Sequence, residues 1–195
     1  MRMLACMSGM ETAVSIALGI GLAAAVGFRV FLPLLVASIA AYTGHLHLDA
    51  NFAWLGSVTA MTMLGVAALV EVLAYYLPAV DNLLDSITTP LALIAGTVVS
   101  AAVITDLPPL IKWSTAIIAG GGVAAITQGV TTLVRAKSTA FTGGLGNPLV
   151  STVEMIAALS VALLALLAPL LAIALVAAFC WFSVRWVRRL LRNGR

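Results

Sequence analysis

Long apolar runs, each near the length needed to cross a bilayer, constrain this chain more than any motif. They fall at about 12–42, 54–77, 88–105, 114–134, 151–168 and 169–187, and a spanning helix needs about 20 apolar residues for roughly 30 Å of hydrocarbon. With 63% hydrophobic residues, 9% charged residues and a mean hydropathy of +1.16, a soluble domain is excluded. The expected fold is all-α: a polytopic transmembrane bundle of about six spans. It forms a single transmembrane domain over residues 1–180, with a basic amphipathic cytoplasmic tail at 181–195. Cys6 and Cys180 lie far apart in no metal or redox spacing and read as small hydrophobes.

Short polar or breaker-rich connections separate the runs: Gly44 to Asn51, Pro78 to Pro90, Asp106 to Trp113, and Arg135 to Pro148. Between 151 and 187 only Pro169 marks a break, so two helices or one kinked helix of about 55 Å both fit. Charge favours six spans. With the amino terminus inside, Arg2, Arg135, Lys137, Arg185, Arg188, Arg189, Arg192 and Arg195 share the inner face and Lys112 alone lies outside, which obeys the positive-inside rule. Both termini are then cytoplasmic. Arg185, Arg188, Arg189 and Arg192 line one helical face opposite Trp186, Val187, Leu190 and Leu191. Such a face anchors on anionic lipid rather than on nucleic acid.

Arg29 interrupts the first run. A cation at the centre of a membrane helix costs roughly 2.5 to 3.5 kcal/mol, so it must meet a carboxylate, a polar cavity or an interface. The run is also too long for one perpendicular helix, since about 31 residues would extend roughly 46 Å. Gly27 and Pro33 suit a break, giving helices over about 12–26 and 30–43. A continuous tilted helix fits too, with Gly19, Ala23 and Gly27 as a close-packing ridge or the contact of a homodimer.

Four acids gather on the inner side. Glu71 lies among Leu, Val, Ala and Tyr, so it must be protonated, paired or hydrated, with Arg29 as one candidate partner. Asp81 and Asp85 share a helical face in the Pro78 to Pro90 connection. Glu154 fits a capping box with Ser151 or, alternatively, the site. Gln128, Thr131, Thr132 and Arg135 form a polar stripe at helical spacing, and Gly120 to Gly122 upstream admit close approach. Arg135 and Lys137 flank the stretch from Ser138 through Asn147 to Pro148, which is rich in hydroxyls and glycine and able to cradle an anion. It lacks the ending of a nucleotide loop. His45, His47 and Asp49 are too few for a metal centre, and no hydrolase arrangement appears, so neither metal, cofactor nor enzymatic activity is expected.

Gly19 to Ala24 aligns with Gly120 to Ala125 at about half the chain length, a hint of an inverted three-plus-three repeat with broken or re-entrant helices. The set Gly27-Phe28-Arg29-x-Phe31-Leu32-Pro33, Glu71 with Pro78, Asp81 and Asp85, and Ser138-Thr139-x-x-Thr142-Gly143-Gly144-x-x-Asn147-Pro148 with Ser151 and Glu154 resembles a bacterial membrane family known as domain of unknown function 4126. The likeness covers roughly residues 12–165 and leaves the tail outside. It implies an integral protein of the bacterial inner membrane with no assigned activity. The expected function is a small transporter or channel, its substrate open, whose polar pathway passes Arg29, Glu71, Gln128, Arg135 and Glu154. Asp81, Asp85, Thr131, Thr132, Lys137 and Asn147 are secondary candidates. Translocation of a phospholipid or polyprenyl phosphate, with Arg29, Arg135 and Lys137 on the phosphate, is the alternative, and an assembly protein without transport is a third. Expected partners are membrane lipids, an unknown solute, ion or lipid, and a second copy of the chain.

Overall fold

The computed structural model describes residues 2–77 and 80–193, with side chains over 9–77, 80, 84–186, 188 and 189. Pro78 and the side chains of Arg2, Cys6, Asp81, Arg192 and Arg195 lie outside the described residues. The elements run α1 (Arg2–Val26), α2 (Phe31–Tyr42), a 3-10 turn (Ala50–Gly56), α3 (Val58–Tyr75), α4 (Asp81–Val103) and α5 (Pro109–Thr115). A π-helical segment (Ala116–Gly121), α6 (Gly122–Thr142), α7 (Asn147–Leu167) and α8 (Pro169–Asn193) follow. Among the described residues six stretches are long and apolar enough to cross a membrane, with α5, the π segment and α6 joined into one rod of 34 residues; α2 is a shorter apolar helix.

The first apolar run is broken rather than tilted. The amides of Gly27 and Phe28 close the last turn of α1 onto Ala23, Ala24 and Ala25. Pro33 then falls in the first turn of α2, where its missing amide is no loss. Gly27 is required for space: a Cβ there would stand 2.5 Å from both the Ala124 carbonyl oxygen and the Thr127 Cβ. The last run is broken as well. Ala168 leaves helical geometry, and α7 and α8 pack against each other as a hairpin, which removes the single-kinked-helix alternative.

These breaks set the topology. α2 starts beside the end of α3, where Glu71 binds its first amides, and finishes beside the start of α3, where Ser38 donates to the Leu55 carbonyl. It therefore runs antiparallel to α3 along its side. Gly19 lies against Ser100 and Val103 late in α4, while Gly27 lies beside Thr127 well along α6, so α1 runs toward the end of the bundle holding Arg29. α8 runs the same way, with Phe28 beside Phe179 and Lys137 over Trp186. The amino-terminal end of α1 and the carboxy-terminal end of α8 thus lie at opposite ends of the bundle. The expectation that both termini share a cytoplasmic face is therefore not shown by the described helices, in which α2, shorter than a spanning helix, turns back from α1.

The Gly19 and Gly120 stretches belong to neighbouring rods that run in the same direction, whereas an inverted repeat needs them opposed. The small-residue ridge is consumed inside the chain, since Gly19, Ala23 and Gly27 pack on α4, the π segment and α6 and are not available as a dimer contact. Gly120 and Gly121 let α4 approach, with Ser100, Thr97 and the Leu93 carbonyl against them. Such small-on-small seams are how membrane helices gain contact where apolar burial offers no advantage over lipid. The expected inner connections are shorter than the sequence implied. α4 already begins at Asp81, and α6 continues to Thr142, where Gly143 and Gly144 take left-handed conformations (φ 63° and 92°) that glycine adopts without penalty.

Candidate functional site: a charged ring around Tyr75

The break at Gly27–Val30 is held open by charge. Free amides at the start of α2 need partners because nothing precedes them in the helix. The Val30 amide donates to Glu71 Oε1 at 2.8 Å and the Phe31 amide to Glu71 Oε2 at 3.1 Å. Glu71 is therefore a cap supplied from another helix, and a carboxylate at a helix amino terminus also meets the favourable end of the macrodipole. It is not the direct partner of Arg29.

That partner is Glu154. Arg29 is 2% exposed, and its Nη2 lies 3.4 Å from Glu154 Oε2 while donating to the Ser151 hydroxyl at 2.6 Å and carbonyl at 3.1 Å. Arg135, from α6, donates to the same Glu154 oxygen and stands 3.6 Å from Asp85 on α4. Both guanidiniums stack on the Tyr75 ring, 3.9 Å and 4.1 Å from its centre, a cation–π arrangement that gains strength away from water. The capping-box reading of Glu154 fails because α7 begins at Asn147, which places Ser151 and Glu154 one to two turns inside the helix.

Hydroxyls complete the ring. The Tyr75 hydroxyl donates to Asp85 at 3.1 Å, so its 3.0 Å contact with Thr88 must be donated by Thr88, which in turn accepts from the Gln128 amide at 3.1 Å. Ser151 donates weakly to the Tyr75 carbonyl at 3.4 Å. One directed chain thus runs from Gln128 through Thr88 and Tyr75 to Asp85, and charge carries it on through Arg135 and Glu154 to Arg29. Among the described residues, the Nε and Nη1 atoms of both arginines and Glu154 Oε1 are buried without a hydrogen bond, Arg135 Nη1 facing Asp85 only as an ion pair. Among the described residues two guanidiniums face three carboxylates, one negative charge in excess. Burying an unmatched ion costs several kcal/mol, and the α2 dipole offsets only about half a charge at Glu71.

Of the residues expected at a site, Arg29, Glu71, Gln128, Arg135, Glu154 and Asp85 come together. Thr131 turns back to the Gln128 carbonyl of its own helix, and Thr132 faces a separate groove with Asp85, Ser86 and Thr89. Lys137 is exposed and lies over Trp186, and Asn147 donates to Thr139 in the α6–α7 turn. The expected anion cradle is closed by that turn, where the Gly146 amide donates to the Thr142 hydroxyl. His45 meets Thr43, and Asp49 pairs with Lys112 at 2.7 Å at the far end of the bundle. No group of metal-ligating side chains occurs among the described residues. Tyr75, Thr88 and Ser151 were missed as members of the site. Their signal is spacing: each lies three or four residues from Glu71, Asp85 or Glu154, on the same helical face.

No curated protein and no solved structure matches the chain. A family model does, over residues 16–189, and so reaches past the 12–165 expected and takes in most of the basic tail. Arg29, Glu71, Asp85, Ser151 and Glu154 around Tyr75 come from the motifs that carried the resemblance, whereas Arg135, Gln128 and Thr88 do not, and the chain belongs to the family described as Domain of unknown function (DUF4126).

Proposed function

We propose that this protein is a small membrane transporter whose moving part is the α1–α2 break and whose polar pathway passes the ring around Tyr75. The observation that carries the reading is the buried, unevenly matched set Arg29, Glu71, Asp85, Arg135 and Glu154 at a broken helix. Ionisable groups are costly at membrane depth and concentrate on ion or substrate routes, and broken helices supply backbone groups to such routes. A static clasp would be served by matched pairs. A surplus carboxylate and guanidinium nitrogens without hydrogen bonds among the described residues suit a centre that exchanges a proton or a guest during a cycle. The positive-inside rule favours a cytoplasmic position for the end of α8 that carries Arg185, Arg188 and Arg189, and with it the ring.

Phosphate translocation is less favoured. Arg29 and Arg135 are already committed to carboxylates, and Lys137 stands apart on Trp186.

The test is reconstitution of the full chain into liposomes with imposed proton, sodium and potassium gradients. Glu71→Gln and Arg29→Gln should insert and yet lose at least tenfold of the wild-type dissipation rate. Wild-type flux no faster than protein-free liposomes for every gradient and for a lipid analogue, or full flux in both variants, would refute transport through this site.

A further inference from the structure

We infer that the protein binds an amphiphile with a cationic, hydrogen-bond-donating head, which enters sideways between α3 and α4 and places that head at Glu71 and Thr88. This deepens the transport reading by naming the substrate class, and it rests on that reading only for the movement that follows binding.

α3 packs along α2 and touches α4 only sparsely, although α4 is next in the chain. Between them lies a cleft of about 740 Å³, lined on one side by Met63, Val66, Ala67, Val70 and Ala74 and on the other by Leu84, Ile87 and Leu91. Its volume is within the range of roughly 300–1,000 Å³ typical of ligand sites. Val66, Val70 and Ile87 are more than half exposed, so the cleft opens on the surface that faces lipid. From Thr62 to Ala74 it follows α3 for about 18 Å, close to one leaflet's share of a hydrocarbon core of roughly 30 Å. Its length therefore suits a single chain lying parallel to its neighbours.

The polar end is specific. Glu71 and Thr88 line the same cleft, and both are at least nine-tenths buried at 4% and 5% exposure. Each Glu71 oxygen receives one amide from α2 and retains a further lone pair. Glu71 is four residues from the end of α3, about 6 Å below it, which is the depth a head reaches when drawn slightly inward from the interface. Behind Glu71 and Thr88 stand Arg29, Asp85, Arg135 and Glu154, two charges of each sign, so that among the described residues the Glu71 carboxylate at the cleft is left without a cation of its own and repels carboxylate and phosphate heads. A primary ammonium supplies the missing positive charge and donates to Glu71 and Thr88.

The experiment uses the full chain in liposomes of zwitterionic lipid and three photoactivatable probes with the same sixteen-carbon chain, ending in a primary amine, an alcohol or a carboxylate. Cross-links are mapped by peptide mass spectrometry. The amine should label residues 62–74 and 84–91 at least tenfold more than the carboxylate. Val66→Phe and Val70→Phe, which add bulk at exposed positions and leave the fold intact, should each cut amine labelling about tenfold. Glu71→Gln should bring the amine to within about twofold of the alcohol; should that variant not insert, the two phenylalanine variants decide alone. Equal labelling by all three probes would mean that bulk lipid chains fill the cleft and a proton balances the charge, which overturns the proposal. Labelling unchanged in the phenylalanine variants would also overturn it. The liposome gradients above report on transport separately: head-blind labelling with flux that depends on Arg29 sinks this inference alone, and selective labelling without flux sinks only the transport reading.

Discussion

Arg29→Gln gives the most demanding test of how the bundle is held. The substitution removes the 3.4 Å pair with Glu154, two bonds to Ser151 and the stack on Tyr75, and leaves Arg135 alone against three carboxylates. The side chains of Arg29 and Glu154 are 1% and 5% exposed, so the pair belongs with buried ion pairs, where loss of one partner costs about 3–5 kcal/mol. A surface pair would cost about 0–1 kcal/mol. At the lower figure the folded fraction relative to unfolded falls more than about 100-fold. Arg29→Gln combined with Glu154→Gln removes one charge of each sign and restores the original excess of one carboxylate. Their coupling should be about 1–3 kcal/mol, with the double variant losing less than the two singles together. Reversible unfolding of the purified chain in mixed micelles, followed by tryptophan fluorescence over a denaturing-detergent titration, measures all four proteins. An Arg29→Gln loss below about 1 kcal/mol, or strict additivity in the double variant, would refute the claim that Glu154 holds the guanidinium in place.

Three further outcomes are expected. Tyr75→Phe keeps the ring under both guanidiniums but loses the hydroxyl between Asp85 and Thr88, and should cost about 1–2 kcal/mol in the same titration, whereas Tyr75→Ala should cost more because the stack goes too. Gly27→Ala drives a Cβ against the Ala124 carbonyl and should destabilise by about 1–3 kcal/mol, while Gly129→Ala, with nothing within 4 Å of the new methyl, should be neutral or gain up to about 1 kcal/mol. At the far end, the hydrogen bond from Lys112 holds the Asp49 carboxyl below its usual range. A carboxyl lowered on folding stabilises above its unfolded value of about 3.9 and loses that contribution as pH falls through the lower folded value. Hydrogen exchange over residues 44–56, corrected for intrinsic rates, should therefore rise only below about pH 4 in the wild type and be raised already at neutral pH in Asp49→Asn.

Much of the architecture is legible in the chain because membrane insertion is decided by sums over about 20 residues. The apolar runs at 54–77, 114–134 and 151–168 appear as α3, the rod ending in α6, and α7. Gly27 and Pro33 contained the break, since glycine tolerates the turn and proline is best accommodated in a first helical turn. The count of passes was harder. α2 has 12 residues, too few for a hydropathy window to separate from α1, and only the contacts of its two ends show that it turns back along α3. The capping-box pattern at Ser151 misled for a related reason: local pattern cannot tell a cap from a side chain one turn further in, and the start of α7 at Asn147 was set by the turn at Gly143 and Gly144.

The sequence by itself determined that Arg29, Glu71, Arg135 and Glu154 could not face lipid, because isolated charge in hydrocarbon is too costly whatever the fold. Which acid meets which base was decided only by tertiary structure. Arg29 and Ser151 are separated by 122 positions, and Glu71 and Val30 by 41, so no periodicity links them. The choice of Glu154 for the guanidinium and of the α2 amides for Glu71 follows from where three helix ends happen to meet, and from the requirement that each freed amide and each buried ion find a partner there.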